Sequence, residues 1–561
     1  MINIIYKPQD LRYIFLTTDN QRELIALEKH LNRIPSHMFL PSYKGIPRPT
    51  CFLNKTKNPN KPDQIIYWCN AGLWKEILDW GSKNGIAING PDDYFKYNPG
   101  LCTKEEFIKY VDSWNLNIDP RYYQPEAAWE ILRWRASLSQ IATRAGKNLI
   151  FYMISRYAME KMGVKNILMV VPSIQLVKQG VQDLQDYKEF FQTEQIWSKG
   201  EFMSTSNLTI GTYQSLIRMA DRKHAKYNPK WFDKFDAVCI DEAHHLVADS
   251  LNTILALPFL KNVKIKFGFT GTLPESEPID WFCCQSLMGP KIQDIRTKEL
   301  IDQGFLAKPD ITQIYIKHEN NDNLINQYIL CGEYLNSNDI GKNKVLRPKE
   351  ERLFTMIYEK KLPYAIEKAK GLLDPREYSQ YLIDLCKGKG ASLLTLEHML
   401  VHLSDKHLRV LDQVLENACP KNTIVFGHYK EYLKFLEKHF KEKFPNRPIY
   451  LIQGETSLKK REQIKDKLLE DTNAILIASY GTVGTGLTFK NLDYIVFAEG
   501  FKSPIINLQS IGRGLIKTDE KDTLYMYDLV DDLPTKKLLS HGKTRQKIYT
   551  KEEFDCVTSN V

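Results

Sequence analysis

The chain lacks the marks of several common protein classes. Its 561 residues include ten cysteines but no C-x-x-C pair, and the one adjacent pair is Cys283–Cys284. Zinc-finger spacing and a disulfide framework are therefore excluded. The longest apolar runs, such as "ILMVVP", fall far short of the roughly 20 residues a membrane-spanning helix needs. The opening stretch "MINIIYKPQD" has no basic-then-apolar secretion pattern. These absences predict a reduced, soluble, cytoplasmic protein with no membrane partner. No sign of charge dominates either. A formal charge of +9 and a pI of about 8.7 permit a polyanionic partner without requiring one.

Hydrophobic residues make up 43% of the chain, enough for several cores. At roughly 100–200 residues per domain, three or four domains are expected. Residues 1–112 mix short apolar runs with a helix-like stretch, "GLWKEILDWGSKNG", and a basic, turn-rich one, "LNKTKNPNKPDQ", and read as a small α+β domain. Residues 113–317 alternate strands ("NILMVV", "LTIGT", "DAVCI", "KIKFGFT") with helical stretches, the pattern of a parallel α/β sheet. Residues 318–420 read as mostly helical, with apolar residues at helical spacing in "LLTLEHMLVHLSDKHLRVLDQVL". Residues 421–561 hold a second α/β set ("TIVFG", "IYLIQ", "AILIAS", "DYIVFA", "TLYMYDLV"). A basic, helical tail is expected after Pro534.

Within the first α/β set, "IATRAGKNLIFY" reads as strand, loop and helix. Amides at the helix start, in the run Thr143, Ala145, Gly146, Lys147 and Asn148, together with the Lys147 amine, suit nucleotide phosphates. Gly-Lys between a strand and a helix is common, so the segment needs support. "AVCIDEAHHL" supplies it by placing Asp241 and Glu242 at a strand's carboxyl end, where ligands of α/β sheets sit. Asp241 is expected to hold magnesium and Glu242 to orient and deprotonate an attacking water. The bland alternative is a strand end with solvated acids. A phosphate loop about 95 residues upstream argues against it.

With these two segments the chain resembles the DEAH-type helicases of superfamily 2. Further segments follow in the family's order. "RYYQPEAAW" is similar to the segment whose glutamine, here Gln124, reads adenine. "VVPSIQLVKQ" and "IGTYQSL" resemble loops that touch the nucleic-acid backbone, which points to Ser173, Gln175, Thr212, Tyr213 and Gln214. "FTGTLP" resembles the coupling motif, with Thr270 and Thr272, and His244 is expected to link it to the acids. "IVFGHYKEY" and "LIQGETS" match further segments of the second lobe. "ASYGTVGTGL" adds Ser479, Tyr480 and Thr482 toward nucleic acid and Gly486 toward ATP. "LQSIGRGLIK" resembles the motif whose glutamine and arginine, here Gln509 and Arg513, reach the γ-phosphate.

Within that superfamily the chain most resembles the UvsW-type helicases of T-even phages. The resemblance is carried by "IDPRYYQPEAAWE", "LVKQGVQDLQDYKEFF", "ILIASYGTVGTGLTFKNLDYIVFAEGFKSPIINLQSIGR", "YDLVDDL" and "LLSHGKTRQKIYTKEEF". It implies two RecA-like lobes, a DNA-binding N-terminal domain and a helical region between the lobes. It also implies ATP and magnesium as cofactors and DNA as partner, with RNA in R-loops. The implied activity is remodelling of R-loops, Holliday junctions and forks in phage recombination and repair.

Three positions depart from the superfamily pattern. Arg144 stands where a loop glycine is usual, which is costly if the position needs positive φ. Asn148 replaces the hydroxyl that ligates magnesium. Ile516 stands where a second arginine finger is usual, a loss worth on the order of 10³–10⁵ in rate elsewhere; Lys517, next to it, would point differently. The three predict slowed turnover. Two alternatives follow: a DNA-binding or strand-annealing protein on a decayed motor, or an RNA-directed helicase.

Lesser signals carry bland expectations. Glu397, His398 and His402 form an E-H-x-x-x-H pattern, expected on a partly exposed helix face, with His407 poorly spaced as a third ligand. Lys55, Lys57 and Lys61 are expected on a loop. Trp68, Trp74 and Trp80 are expected in a core.

Overall fold

The computed structural model describes residues 1–7, 11–32, 50–58, 61–90, 95–96, 100–196, 206–224, 226–247, 262–275, 277–318, 393–402, 404–483, 491–533 and 536–561. The chain divides into two compact units, Met1–Arg296 and Thr297–Val561. Among the described residues no helix is long and apolar enough to cross a membrane.

The first unit opens with a five-stranded sheet in the order β3-β4-β2-β1-β5: β1 (Ile2–Ile5), β2 (Tyr13–Thr18), β3 (Asn54–Asn58), β4 (Lys61–Asn70) and β5 (Ile88–Asn89). Helices α1 (Gln21–Leu31) and α2 (Trp74–Lys83) accompany it. Both helices place leucine, isoleucine or tryptophan at helical spacing against the sheet, so Leu24, Leu27, Trp74, Ile77 and Trp80 are buried. Trp68 is half-buried and meets Tyr13 edge-on at 5.3 Å. The basic segment is not a loop: Lys55 and Lys57 lie on β3 and Lys61 begins β4, because the two strands pair antiparallel as a hairpin.

This sheet is built onto the lobe that follows. Ala136 and Phe282 belong to its core, and the Lys266 ammonium donates to the Leu11 carbonyl at 2.8 Å. A methyl group at Gly72 would lie 1.9 Å from the Gln285 carbonyl, so glycine alone permits this close approach.

Helices α3 (Lys104–Asp112) and α4 (Tyr123–Leu132) lead into the first lobe. Its strands are β6 (Ala136–Ile141), β7 (Ile167–Val171), β8 (Thr193–Ile196), β9 (Leu208–Thr212), β10 (Ala237–Asp241), β11 (Ile265–Thr270) and β12 (Lys291–Ile295). They form a wholly parallel sheet in the order β12-β6-β11-β10-β7-β9-β8. Helices α5 (Lys147–Lys161), α6 (Ile174–Tyr187), α7 (Tyr213–Ala220) and α8 (Pro278–Met288) cross between strands. Runs such as "ILMVV" and "AVCID" are buried at every position, as required of strands covered on both faces.

The second unit is also a seven-stranded parallel sheet, in the order β15-β16-β14-β17-β18-β13-β19. After α9 (Thr297–Asp302) its strands are β13 (Lys308–Lys317), β14 (Thr423–Gly427), β15 (Ile449–Ile452), β16 (Ile475–Ser479), β17 (Tyr494–Phe497), β18 (Thr523–Asp532) and β19 (Asp555–Asn560). Its further helices among the described residues are α10 (Leu393–His402), α11 (Asp405–Asn417), α12 (Lys430–Lys443), α13 (Leu458–Glu470), α14 (Tyr480–Val483), α15 (Pro504–Gly512) and α16 (Lys537–Lys551). Each unit thus carries a RecA-like α/β lobe.

Two boundaries differ from the expectation. The break expected at 317 falls between residues 296 and 297, because β13 hydrogen-bonds to β18 and β19 and so belongs to the second sheet. Of the expected helical region 318–420, most lies outside the described residues. The part that is described, α10 and α11, belongs to the second lobe, where Val410, Leu411, Val414 and Leu415 share a core with Val425, Ile475 and Val496. The tail is helical in α16, as expected, but it ends in a strand.

Candidate nucleotide site

Because the first sheet is wholly parallel, every loop after a strand opens at one edge. The loop after β6, the acids after β10 and the Thr-Gly-Thr turn after β11 come from three neighbouring strands. They meet there. The Lys147 ammonium lies 2.7 Å from Glu242 Oε1 and 3.7 Å from Asp241 Oδ1. The His244 imidazole Nδ1 is 2.8 Å from the Thr270 hydroxyl and 3.3 Å from Glu242 Oε2. Thr270 Oγ1 in turn donates to the Thr272 carbonyl at 3.1 Å and accepts from the Thr272 amide at 3.3 Å. Lysine, acids, histidine and both threonines therefore form one continuous network.

The electrostatics divide the two acids. Burial pushes Asp241 above the usual carboxylate range, and Lys147 offsets this only in part. Burial acts the same way on Glu242, but Lys147 and His244 outweigh it and hold its carboxyl well below the usual range. His245 is pushed down to about 4, by burial and then by His244. Asp241 Oδ1 is buried and accepts no hydrogen bond. A buried carboxylate oxygen in that state, beside phosphate-binding groups, fits a hard divalent cation.

The phosphate loop is braced from below. Gln124 donates to the Ala145 carbonyl at 2.9 Å and accepts from the Arg121 amide at 2.8 Å. One N–H and one lone pair of that amide take part in neither bond. Tyr123 donates to the same carbonyl at 2.9 Å, and Arg121 donates to the Arg144 carbonyl at 3.2 Å. Gly146 caps α5 at φ 80°, and a methyl group there would meet Gln124 Nε2 at 2.2 Å. Thr143 faces the opposite motif, with its hydroxyl 3.3 Å from the Cβ position of Gly271.

Arg144 sits at φ 73°, so the position usually held by glycine does require the left-handed region. Asn148 donates its amide to Asp183 Oδ2 at 2.5 Å. That bond uses the amide nitrogen and not the carbonyl oxygen, the atom that can ligate a hard cation. Asp183 was not foreseen: it lies 35 residues from Asn148, and no sequence motif links the pair.

The loops after β7 and β9 lie side by side, since Val171 and Thr212 are paired in register. Ser173 caps α6 by accepting from the Leu176 amide at 3.3 Å, and Thr212 donates to the Ser215 hydroxyl at 3.0 Å. Exposed Gln214 bridges the two loops through the Pro172 carbonyl at 3.4 Å. Tyr213 is half-buried, 6.4 Å from the His245 ring, and Gln175 Oε1 is buried with no hydrogen bond. The expected strand-binding residues of this lobe are thus adjacent, and Tyr213 approaches the segment that follows the acids.

In the second lobe the expected residues take different places. Ser479 and Thr482 hydroxyls lie 2.9 Å apart at the carboxyl end of β16. Tyr480 is not available as a nucleic-acid contact through its ring: it is buried, stacked on Phe426 at 5.0 Å and set edge-on to Phe497 and Phe501. Its phenol fills the core because α14 turns inward directly after the strand. Gln509 lies on α15 and Arg513 caps its C-terminus. Ile516 is half-buried in a bridge to Leu306. Gly486 lies outside the described residues.

Comparison with known proteins agrees with these motifs. Residues 117–275 match the family described as the res subunit of type III restriction enzymes, and residues 406–515 match the helicase conserved C-terminal domain. The ATP-dependent DNA helicase UvsW of Enterobacteria phage T4 is 25% identical over 496 residues, spanning 83% of this chain and 84% of the phage protein. The crystal structure of T4 UvsW is 20% identical, with a TM-score of 0.43, over 100% of this chain and 99% of that one. The Hef helicase domain of Pyrococcus furiosus is 17% identical, with a TM-score of 0.45, over 76% and 98%. The likeness rests on the sequence matches, not on the superpositions. In its ordered motifs and in the two sheets that bear them, the chain is similar to the UvsW-type helicases.

Proposed function

We propose that the chain is an ATP-driven DNA translocase, acting in the cytoplasm, that remodels branched DNA such as R-loops, Holliday junctions and forks. The observation that carries the reading is the Lys147–Glu242–Asp241 cluster at the sheet's carboxyl edge, with Glu242 kept ionised and one Asp241 oxygen left without a hydrogen bond. In this reading the loop amides and Lys147 bind the phosphates of ATP. Asp241 and the Asn148 carbonyl hold magnesium, which supplies further neutralisation of phosphate charge when bound.

Lys147 has two claimants, Glu242 and phosphate. Its recruitment by phosphate removes the main cation beside Glu242, making that carboxylate more basic and better suited to take a proton from water. His244 and Thr270 pass the change to the Thr-Gly-Thr turn, and Gln509 and Arg513 are the γ-phosphate residues that the resemblance implies. Ser173, Gln175, Thr212, Tyr213, Gln214, Ser479 and Thr482 grip the strand. Their mix of hydroxyls, amides and helix-start backbone suits phosphate contacts, so binding is sequence-tolerant and salt-sensitive. The departures at Arg144, Asn148 and Ile516 slow this cycle without removing it.

The test is magnesium-dependent phosphate release by the wild-type chain, Lys147→Ala and Glu242→Gln, with forked DNA, a Holliday junction or single-stranded RNA. Turnover stimulated by branched DNA is expected, with a fall of at least about 10²-fold in either variant. Wild-type turnover no greater than that of the variants would leave a DNA-binding scaffold. Stimulation by RNA alone would make it an RNA-directed helicase.

A further inference from the structure

The E-H-x-x-x-H pattern of α10 is buried, not half-exposed, and its three residues separate into two tasks. Glu397 accepts from the Lys537 and Leu538 amides at 3.2 and 2.7 Å, capping α16, whose own N-cap, Lys536, makes no side-chain cap bond. His398 and His402, one helical turn apart on the same face, turn instead to Glu499 at the end of β17. His402 Nε2 lies 2.5 Å from Glu499 Oε1, and His398 Nδ1 lies 3.2 Å from the same oxygen. The three donor atoms all lie within 4.8 Å of one another.

We propose that His398, His402 and Glu499 form a zinc site that staples α10 to the core of the second lobe. Two imidazoles with H-x-x-x-H spacing and one carboxylate are a recurrent zinc donor set. The carboxylate is oriented as ligands usually are: Glu499 Oε2 accepts from the His428 and Tyr429 amides at 2.7 and 3.4 Å, leaving Oε1 toward the imidazoles. His402 is fixed by Tyr432, stacked on it at 3.9 Å. A small cavity lined by His398, Glu499 and Asp531 adjoins the cluster and has room for about one water.

A hydrogen-bonded cluster without metal accounts for only part of this geometry. The buried His398 Nδ1 makes no hydrogen bond although a carboxylate oxygen is 3.2 Å away. A divalent cation held between the two imidazoles and Oε1 would give that nitrogen a bond. Arg545, which also lines the cavity, has its charge already paired with Asp528 at 2.7 Å.

The test is titration of the chelator-stripped full chain with Co²⁺ and, separately, Zn²⁺ in excess magnesium. We expect one Co²⁺ per chain, visible d–d absorption without a thiolate charge-transfer band, displacement by one Zn²⁺, and a higher melting temperature with either metal. Glu499→Gln and the His398→Ala/His402→Ala pair should weaken binding at least about tenfold. Three results would each overturn the site: no stoichiometric uptake by the wild-type chain, a thiolate band that places the ion on cysteine, or unchanged affinity in the histidine pair variant. The wild-type arm decides even if a variant fails to fold.

Discussion

The carboxyl edges of the two sheets place charge in opposite ways. In the first lobe Lys147 and Glu242 keep 17% and 18% of their side-chain surface exposed, and one ammonium serves two carboxylates. In the second lobe His402 and Glu499 are fully enclosed, and nearby Arg545 and Asp528 are almost so. Asp528 is fully subscribed, accepting from Arg545 at 2.7 to 3.0 Å, Gln313 at 2.8 Å and Tyr549 at 3.0 Å. Open charges with exchangeable partners suit a ligand that comes and goes. Closed charges with satisfied partners suit a fixed architecture, because a buried unpaired charge is costly.

The strongest way to break this contrast is to remove one cation from each set. Arg545→Met leaves Asp528 buried without its main partner, so unfolding of the second lobe should become easier by about 3–5 kcal/mol. Lys147→Ala leaves a partly exposed Glu242 and a buried Asp241 that already lies above the usual carboxylate range. Its expected cost to stability is about 1 kcal/mol or less, while its cost to turnover is large. Denaturant unfolding of both variants beside their phosphate release checks the pair. Equal stability losses would erase the distinction between open and closed sets.

A finer probe concerns Asp183, which anchors the Asn148 amide in the open set. If Asn148 has taken over the usual hydroxyl's role toward magnesium, its orientation matters as that of any ligand does. Asp183→Ala should raise the magnesium needed for half-maximal phosphate release about tenfold, equivalent to ~1.4 kcal/mol. An unchanged magnesium dependence would remove Asn148 from the metal's coordination and leave Asp241 as its protein ligand.

How far these arrangements could be read beforehand follows from their range in sequence. The β6–loop–α5 unit and the acids after β10 were legible because an apolar strand, a Gly-Lys step and an acidic pair are local signals. β19, "DCVTSN", is exposed at nearly every position; an edge strand with little burial leaves no alternating pattern to find. β13 follows the first lobe directly yet joins the second sheet, since pairing is decided by partners some 200 residues away. The helical spacing of His398 and His402 was visible, but not their burial, which depends on Glu499 97 residues downstream from His402. Local chemistry was readable; long-range pairing was not.

The smallest expected effect lies in the phosphate loop itself. Arg144 holds φ 73°, a conformation that costs an L-residue roughly 1–2 kcal/mol and glycine almost nothing. Glycine loses more chain entropy on folding, about 0.5–1 kcal/mol. The difference predicts that Arg144→Gly stabilises the first lobe by about 0.5–1 kcal/mol and raises its melting temperature by roughly 1–4 °C. The Arg144 carbonyl that accepts from Arg121 is backbone and survives the change, so the loop keeps that brace and ATP should bind no worse. Thermal melting of the two chains, with and without nucleotide, decides it. A lower melting temperature would mean that contacts of the arginine side chain outweigh the strain of its backbone. The departure from glycine would then be a fixed support of the closed kind, set inside the open site.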